Sequence, residues 1–242
     1  MKVDALTLEL RPRSMSEATD LGIRLVQANA RSTWGCFAPV YAVVVALALS
    51  TIDAAPWLPG LLIFWAKPWL DRSLLFVFSR AAFGQSTGPA DLWQARKAVW
   101  WQRLPVTLSF RRFSLWRSYT QPIDQLEGQR GSALHARSKT MLNEQRGRAA
   151  GMQFVFANLE LALAIGLLAL AAWFSLPGYD TWLVPWLTGG SESAVWLLTL
   201  TYCAVVLFVE PFYVAAGFAM YLNRRVQLEA WDVEQEFRRA FG

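Results

Sequence analysis

Two long segments of the chain contain no lysine or arginine, and this pattern constrains the fold more than any motif does. The first covers residues 32–66 and the second covers residues 149–223. Residues 91–148, which lie between them, hold eleven basic residues and four acidic ones. A soluble basic protein would not confine its charge in this way, whereas membrane proteins keep basic residues next to their spans on the cytoplasmic side. The pattern therefore predicts an integral membrane protein.

The composition predicts the same class. Of the 242 residues, 55% are hydrophobic and only 17% are charged, below the roughly one quarter that is usual in a soluble domain. Backbone polar groups inside a bilayer must be satisfied within the spanning element, and a helix does this. We expect an all-α fold, an integral membrane helical bundle with four transmembrane helices and additional interfacial amphipathic helices.

Four apolar stretches have about the 20 residues that a helix needs to cross the hydrocarbon core. These predicted spans are residues 35–52, 56–78, 151–174 and 194–222. The connections 53–59 and 175–193 carry acidic residues and no basic ones, which predicts that both are extracytoplasmic. Both termini and the basic middle of the chain then lie in the cytoplasm.

The predicted organisation has five parts. These are a cytoplasmic amphipathic N-terminal segment (1–34), the first two spans (35–80), a basic cytoplasmic or interfacial helical segment (81–150), the last two spans (151–222) and a cytoplasmic C-terminal helix (223–242). Within the first part, Ser14 and Glu17 fit a capping box that would begin a helix. This helix is expected to lie on the cytoplasmic surface of the membrane, and the alternative is an ordinary short soluble helix.

The second predicted span is interrupted by charge, and two interpretations remain open. The sequence KPWLDR at residues 67–72 places a proline and three charged side chains in the middle of an apolar stretch. One interpretation is a single kinked helix whose charges face protein, with Lys67 and Asp71 on one face because they are four residues apart. The other is a short span that emerges at Lys67 and continues as an interfacial helix.

The basic middle segment mixes arginine with tryptophan, which is typical of helices that lie on anionic lipid. The flanking spans favour lipid headgroups or a cytoplasmic protein as partners, and no nucleic-acid partner is expected. The predicted interfacial basic residues are Arg96, Lys97, Arg103, Arg111, Arg112 and Arg117.

Five ionisable side chains fall inside the predicted spans, where each needs a partner because a charge near the bilayer centre is costly. They form a predicted buried charge cluster of Lys67, Asp71, Arg72, Glu160 and Glu210. Lys67 lies thirteen residues before Arg80, and Glu210 lies thirteen before Asn223. The two therefore have similar depth, which predicts that they pair. Glu160 is expected to pair with Arg72, or with Asn158 and backbone donors.

Two roles for this cluster remain open. Glu160 and Glu210 are candidates for a proton or ion path. Alternatively, the pairs set the register of helices that have no hydrophobic driving force between them inside a bilayer.

The sequence offers no catalytic, cofactor-binding or metal-ligating residues. Its single histidine, His135, and its two cysteines, Cys36 and Cys203, exclude histidine-rich and cysteine-rich metal sites. Phosphate-binding, nucleophile-elbow, zinc-protease and dinucleotide motifs are absent. We therefore expect a protein that is not an enzyme and that needs no cofactor.

Eight stretches of the sequence are distinctive as a set: KPWLDR (67–72), SRAAFG (79–84), RRFS (111–114), QLEG (125–128), NLE (158–160), FYVAAG (212–217), YLNRR (221–225) and LEAWD (228–232). Together they resemble a family of uncharacterised proteobacterial inner-membrane proteins, which are encoded near MoxR-type AAA ATPases and von Willebrand-A-like or transglutaminase-like proteins. The ending is also similar to broader bacterial membrane domains that close with a tyrosine, a basic pair and an acidic helix. The resemblance implies location in the bacterial inner membrane and no particular chemistry.

These observations lead to two expected functions. The first is a non-enzymatic inner-membrane module that anchors or scaffolds cytoplasmic partners, such as a MoxR-type AAA ATPase system. The alternative is a small transporter or lipid-handling protein that uses the pairs Lys67/Glu210 and Arg72/Glu160.

Overall fold

The computed structural model describes residues 13–102, 104–109, 113–173 and 192–229, and the regular elements in these ranges are all helical. The predicted all-α fold is therefore confirmed for this part of the chain. The α-helices are α1 (Met15–Ala28), α2 (Ala30–Leu49), α3 (Leu58–Ala81), α4 (Pro89–Gln94), α5 (Leu104–Leu108), α6 (Arg117–Gln125), α7 (Gly131–Leu142), α8 (Arg146–Trp173) and α9 (Glu192–Glu229), and a π-helical segment covers Lys97–Trp101.

Three of the described helices are long and apolar enough to cross a membrane: α2, α8 and α9. The prediction of membrane-spanning helices is confirmed at this level. Helix α3 has 24 residues and runs without interruption through Pro68. The chain therefore stays helical at Lys67, as a single helix requires, while α3 is not among the three helices that meet the length and composition of a span.

Helix α9 is the centre of the fold, and α1, α2, α3, α6 and α8 all contact it. It has 38 residues, which corresponds to about 57 Å of helix against a hydrocarbon core of about 30 Å. The predicted last span, which ends at residue 222, and the start of the predicted C-terminal segment therefore lie on one helix. The helix continues unbroken to Glu229, and residues 230–242 lie outside the described part.

Small residues allow two helices to approach α9 closely. A Cβ added to Gly22 of α1 would lie 2.5 Å from the carbonyl oxygen of Ala215, and one added to Gly217 would lie 2.5 Å from the Cβ of Ser118 on α6. A separation this short leaves room for hydrogen only. The Ala215–Gly217 step of α9 thus places α1 on one side and α6 on the other.

The apolar face of helix α1 is covered by protein. Ser14 does cap it, since its hydroxyl accepts a hydrogen bond from the backbone N–H of Glu17 at 3.3 Å. Its buried face, however, which includes Ala18 and Leu25, packs against protein. The reason is the Gly22 contact, which lets α1 lie along α9 and bury the apolar face that lipid was expected to cover.

Candidate functional site: a buried chain of ion pairs

Helices α3, α6, α8 and α9 bring five charged side chains together. Lys67 and Asp71 share one face of α3 because they are four residues apart. Glu160 comes from α8, Glu210 from α9 and Arg117 from the first turn of α6. We call these five residues the ionic chain.

Lys67 lies between two carboxylates. Its Nζ atom is 2.9 Å from Oε2 of Glu210, so the structure brings together the pair that equal depth predicted. The same ammonium group forms an ion pair with Oε1 of Glu160 on α8. Lys67 therefore connects α3, α8 and α9 through one side chain.

Arg117 continues the chain from the other side of Glu210. Its guanidinium lies 2.8 Å from Oε1 of Glu210 and 2.8 Å from Oδ2 of Asp71. The prediction that Arg117 is an interfacial basic residue is wrong, since its side chain is 4% exposed. A charge count could have indicated it, because Lys67 alone was expected to serve both Asp71 and Glu210.

The predicted pair of Arg72 with Glu160 is also wrong. Arg72 lies 3.4 Å from Oδ2 of Asp124 on α6, and it donates hydrogen bonds to the backbone carbonyls of Ala98 and Val99. Five residues along a helix correspond to a rotation of about 140° relative to the starting face. Arg72 therefore points away from Lys67, toward the π-helical segment. Asn158, the other partner proposed for Glu160, instead donates to the carbonyl of its own helix at Phe154.

The ionic chain alternates in sign along the order Glu160, Lys67, Glu210, Arg117 and Asp71. Three carboxylates thus face two cations. Lys67, Asp71 and Glu210 are 4%, 0% and 1% exposed, whereas the side chain of Glu160 is 23% exposed. Desolvation of such charges is offset only when each one has close partners, and here each cation touches two carboxylates.

Aromatic rings on α9 complete the surroundings of the two cations. The ring of Tyr213 lies 5.1 Å from the guanidinium carbon of Arg117, and the ring of Tyr202 lies 6.0 Å from Nζ of Lys67. The hydroxyl of Tyr213 accepts a hydrogen bond from the backbone N–H of Ser118 at 3.3 Å and contacts Gln153 of α8. Cation–π contacts of this kind add most where water is excluded.

A second network fixes the C-terminal end of α9, and we call it the C-terminal network. Tyr221 donates from its hydroxyl to Oε1 of Glu127 at 2.6 Å, and Arg137 of α7 donates to Oε2 of the same carboxylate at 2.9 Å. Arg225 donates to Oε2 of Glu229 at 2.6 Å, and Glu229 also pairs with Arg137. Partial burial alone would lower the pKa of Arg137, but its hydrogen bonds to both carboxylates raise it. The network ties the α6–α7 connection to α9.

The remaining predicted interfacial residues lie at the surface or outside the described ranges. Arg96 is half-buried with its guanidinium 5.0 Å from the ring of Trp93, and Lys97 is exposed nearby. Arg103, Arg111 and Arg112 fall on positions that the structure does not describe. Trp93 and Trp101 are both well exposed beside these basic groups.

Metal chemistry has no support in the described part of the chain, where no three histidine, cysteine, aspartate or glutamate side chains are grouped to hold an ion. Cys36 and Cys203 are buried free thiols on different helices. The ionic chain can hold four helices together. Because it has three carboxylates and two cations, one carboxylate can also bind and release a proton.

Comparison of the chain with protein-family models, curated proteins and solved structures finds no match, so the interpretation of these two networks depends on their own geometry.

Proposed function

We propose that this protein is a non-enzymatic module of the bacterial inner membrane that anchors a cytoplasmic protein partner. In this proposal α2, α3, α8 and α9 are the four spans, and both termini are cytoplasmic. The observation that carries it is the ionic chain, in which the charges within the bundle are used to hold the helices to each other. The resemblance of the sequence suggests a MoxR-type AAA ATPase system as the partner.

Helix α3 is included as a span on the basis of its length and the burial of its charges. Its 24 residues correspond to about 36 Å, enough to cross a hydrocarbon core of about 30 Å. Lys67, Asp71 and Arg72 are each less than 5% exposed, and each has an ion-pair partner within the protein. Charges placed in this way are tolerated within spans because they pair inside the bundle.

Helix α7 is the surface proposed for the partner. One side of it is held by Arg137, which pairs with Glu127 and Glu229, and its last turn is held by the hydroxyl of Tyr119, which donates to the carbonyl of Met141 at 2.8 Å. His135 and Lys139 are exposed on the same helix. A helix that is fixed on one side and polar on the other can bind a soluble protein without having to be ordered first.

Site-specific photo-crosslinking in native membranes tests this proposal. A photoreactive amino acid at Lys139 is expected to form an adduct with a cytoplasmic ATPase of the MoxR type, identified by mass spectrometry. The same amino acid at Phe154 of α8, an exposed position on an apolar stretch, is the matched control and should capture no protein from the cytoplasm. Absence of any protein adduct at both His135 and Lys139 would remove the support for anchoring.

The orientation is tested separately by thiol labelling in intact cells. A cysteine introduced at Ala54 should react with a membrane-impermeant maleimide, whereas one at Lys139 should react only after the membrane is permeabilised. The native Cys36 and Cys203 are buried and contribute little background. Labelling of Lys139→Cys in intact cells would contradict the proposed topology.

Glu160 favours one alternative function, transport of a proton or ion. It is the one member of the ionic chain whose side chain is appreciably exposed, and the chain holds one more carboxylate than cations. A flux assay in proteoliposomes distinguishes the alternatives: uptake that is lost in Glu160→Gln supports transport, and no flux in the native protein supports anchoring.

A further inference from the structure

A cleft of about 530 Å³ opens between the N-terminal end of α1, the first turns of α8 and the cytoplasmic end of α9. It lies apart from the ionic chain, since none of the five charged residues of that chain lines it. The cleft forms because α1 and α8 both pack against α9 and leave space between them. Its volume is within the about 300–1,000 Å³ that is usual for small-molecule sites.

The two ends of the cleft differ in chemistry. The cytoplasmic end is lined by Arg13, Gln145 and Arg148, with serine hydroxyls of α1 beside them. The other end is lined by Met152 and Phe156 of α8 and by Met220 of α9, with Thr19 and Asp20 on the side of α1. A ligand that fits both ends must have a charged or polar group joined to an apolar chain.

The charge of the lining favours an anion. Among the described residues that line the cleft, Arg13 and Arg148 are cationic and Asp20 supplies the one carboxylate, a net charge of one positive unit. The guanidinium of Arg148 donates to the neutral side-chain oxygen of Gln145 at 3.0 Å. Its remaining N–H donors can therefore bind a phosphate oxygen, which guanidinium groups recognise well.

The apolar end continues onto a surface that faces outward. Val155 is 62% exposed and Leu159, one turn further, is 42% exposed on the same side of α8. If α8 spans the membrane as proposed above, a chain lying on Phe156 and Val155 remains in contact with the hydrocarbon core. A soluble anion without an apolar chain would gain no binding free energy from these apolar side chains.

We propose that the cleft binds one anionic phospholipid, with its phosphate at Arg148 and one acyl chain along Met152 and Phe156. The proposal depends on the membrane location of α8 and does not depend on the anchoring of a protein partner. It assigns a role to a cytoplasmic-leaflet lipid as a component of the α1–α8–α9 assembly.

Native mass spectrometry of the purified full chain in neutral detergent tests the proposal. The probes are phosphatidylglycerol, phosphatidylcholine with the same acyl chains, and inorganic phosphate. We expect phosphatidylglycerol to bind in preference to phosphatidylcholine, and inorganic phosphate not to displace it. Arg148→Gln should weaken phosphatidylglycerol binding about tenfold, because a charge-assisted contact is lost.

Arg146→Gln is the matched control, since Arg146 is exposed on the same helix end but does not line the cleft. Its affinity for phosphatidylglycerol should equal that of the native protein. A second variant, Val155→Trp, keeps every charge and fills the apolar end of the cleft. It should weaken the binding of phosphatidylglycerol without altering the fold. Both test positions are exposed, so the variants are expected to fold.

Three results would each overturn the proposal. Equal affinity for phosphatidylcholine would exclude recognition of the anionic headgroup. Displacement by inorganic phosphate at the affinity of the lipid would indicate a phosphate site without an acyl component. Equal losses in Arg148→Gln and Arg146→Gln would indicate general attraction to a basic surface. Because purified protein is used, failure to find a protein partner leaves this test unaffected.

Discussion

Helices α8 and α9 are both apolar enough to cross a membrane, yet the structure uses them in opposite ways. In the most apolar window of α8 only 6% of the residues are buried inside the protein, whereas in that of α9 the share is 72%. One helix faces outward along most of its length, and the other is the axis on which the fold is built. Apolar composition alone therefore does not decide whether a helix belongs to the core.

The difference lies in side chains that are not apolar. Lipid tails are as apolar as leucine, so spans associate through close packing and polar contacts rather than by excluding water. Helix α9 has the small step at Ala215–Gly217 and the fully buried Glu210, which pairs with two cations. Helix α8 contributes Glu160, which has one cation as an ion-pair partner.

The largest expected effect compares the two glutamates. Glu210→Ala removes a partner from both Lys67 and Arg117, and a broken buried pair typically costs about 3–5 kcal/mol of unfolding free energy. Glu160→Ala leaves Lys67 paired with Glu210 and balances two cations with two carboxylates, so its cost should stay below about 1 kcal/mol. Unfolding by sodium dodecyl sulfate in mixed micelles measures both. Equal costs would show that the ionic chain does not centre on α9.

The next effect compares two glycines. A Cβ at Gly217 would collide with Ser118 of α6, whereas a Cβ at Gly166 would meet no other described residue within 4 Å apart from the adjacent backbone of α8. Gly217→Ala should therefore destabilise by about 1–3 kcal/mol through overpacking. Gly166→Ala should be neutral or stabilise by up to about 1 kcal/mol, since alanine favours helix. Thermal unfolding of the two variants side by side measures the difference, and a similar loss in both would contradict the close approach of α6.

A smaller effect concerns the C-terminal end of α9. Tyr221→Phe removes the hydroxyl that donates to Glu127 and should cost about 1 kcal/mol, the usual net value of one hydrogen bond. Limited proteolysis near the α6–α7 connection should then become faster. Trp173→Phe at the exposed end of α8 is the control and should leave the rate unchanged. No change in Tyr221→Phe would mean that the C-terminal network does not hold α7.

Cysteine substitutions on α8 and α9 should have the smallest effect on stability, and they compare the exposure of the two helices directly. Leu161→Cys on α8 should react with a bilayer-soluble thiol reagent, since residue 161 is 59% exposed. Val209→Cys on α9 should not react while the protein is folded, because that position is buried. Reaction of both at similar rates would contradict the assignment of α9 to the core.

Some of the site followed from the sequence, and the reasons are physical. The sequence predicted the pair of Lys67 and Glu210, because opposite charges at equal depth in a membrane are stabilised by pairing. The structure places Nζ of Lys67 2.9 Å from Oε2 of Glu210. Arg117 was missed because its own segment is basic and rich in aromatic residues, which is typical of an interface. Only the fold of α6 against Gly217 brings its guanidinium beside Glu210 and Asp71.

The sequence by itself predicted helices long and apolar enough to cross a membrane, because long runs of apolar side chains have a low free energy in contact with lipid or apolar protein. It also determined that Lys67 and Glu210 required partners. The tertiary structure decided which apolar helix is central, which cation completes the ionic chain and where α1 lies. Lipid and apolar side chains are nearly equivalent surroundings for a helix, so these choices depend on close contacts and ion pairs between residues far apart in the sequence.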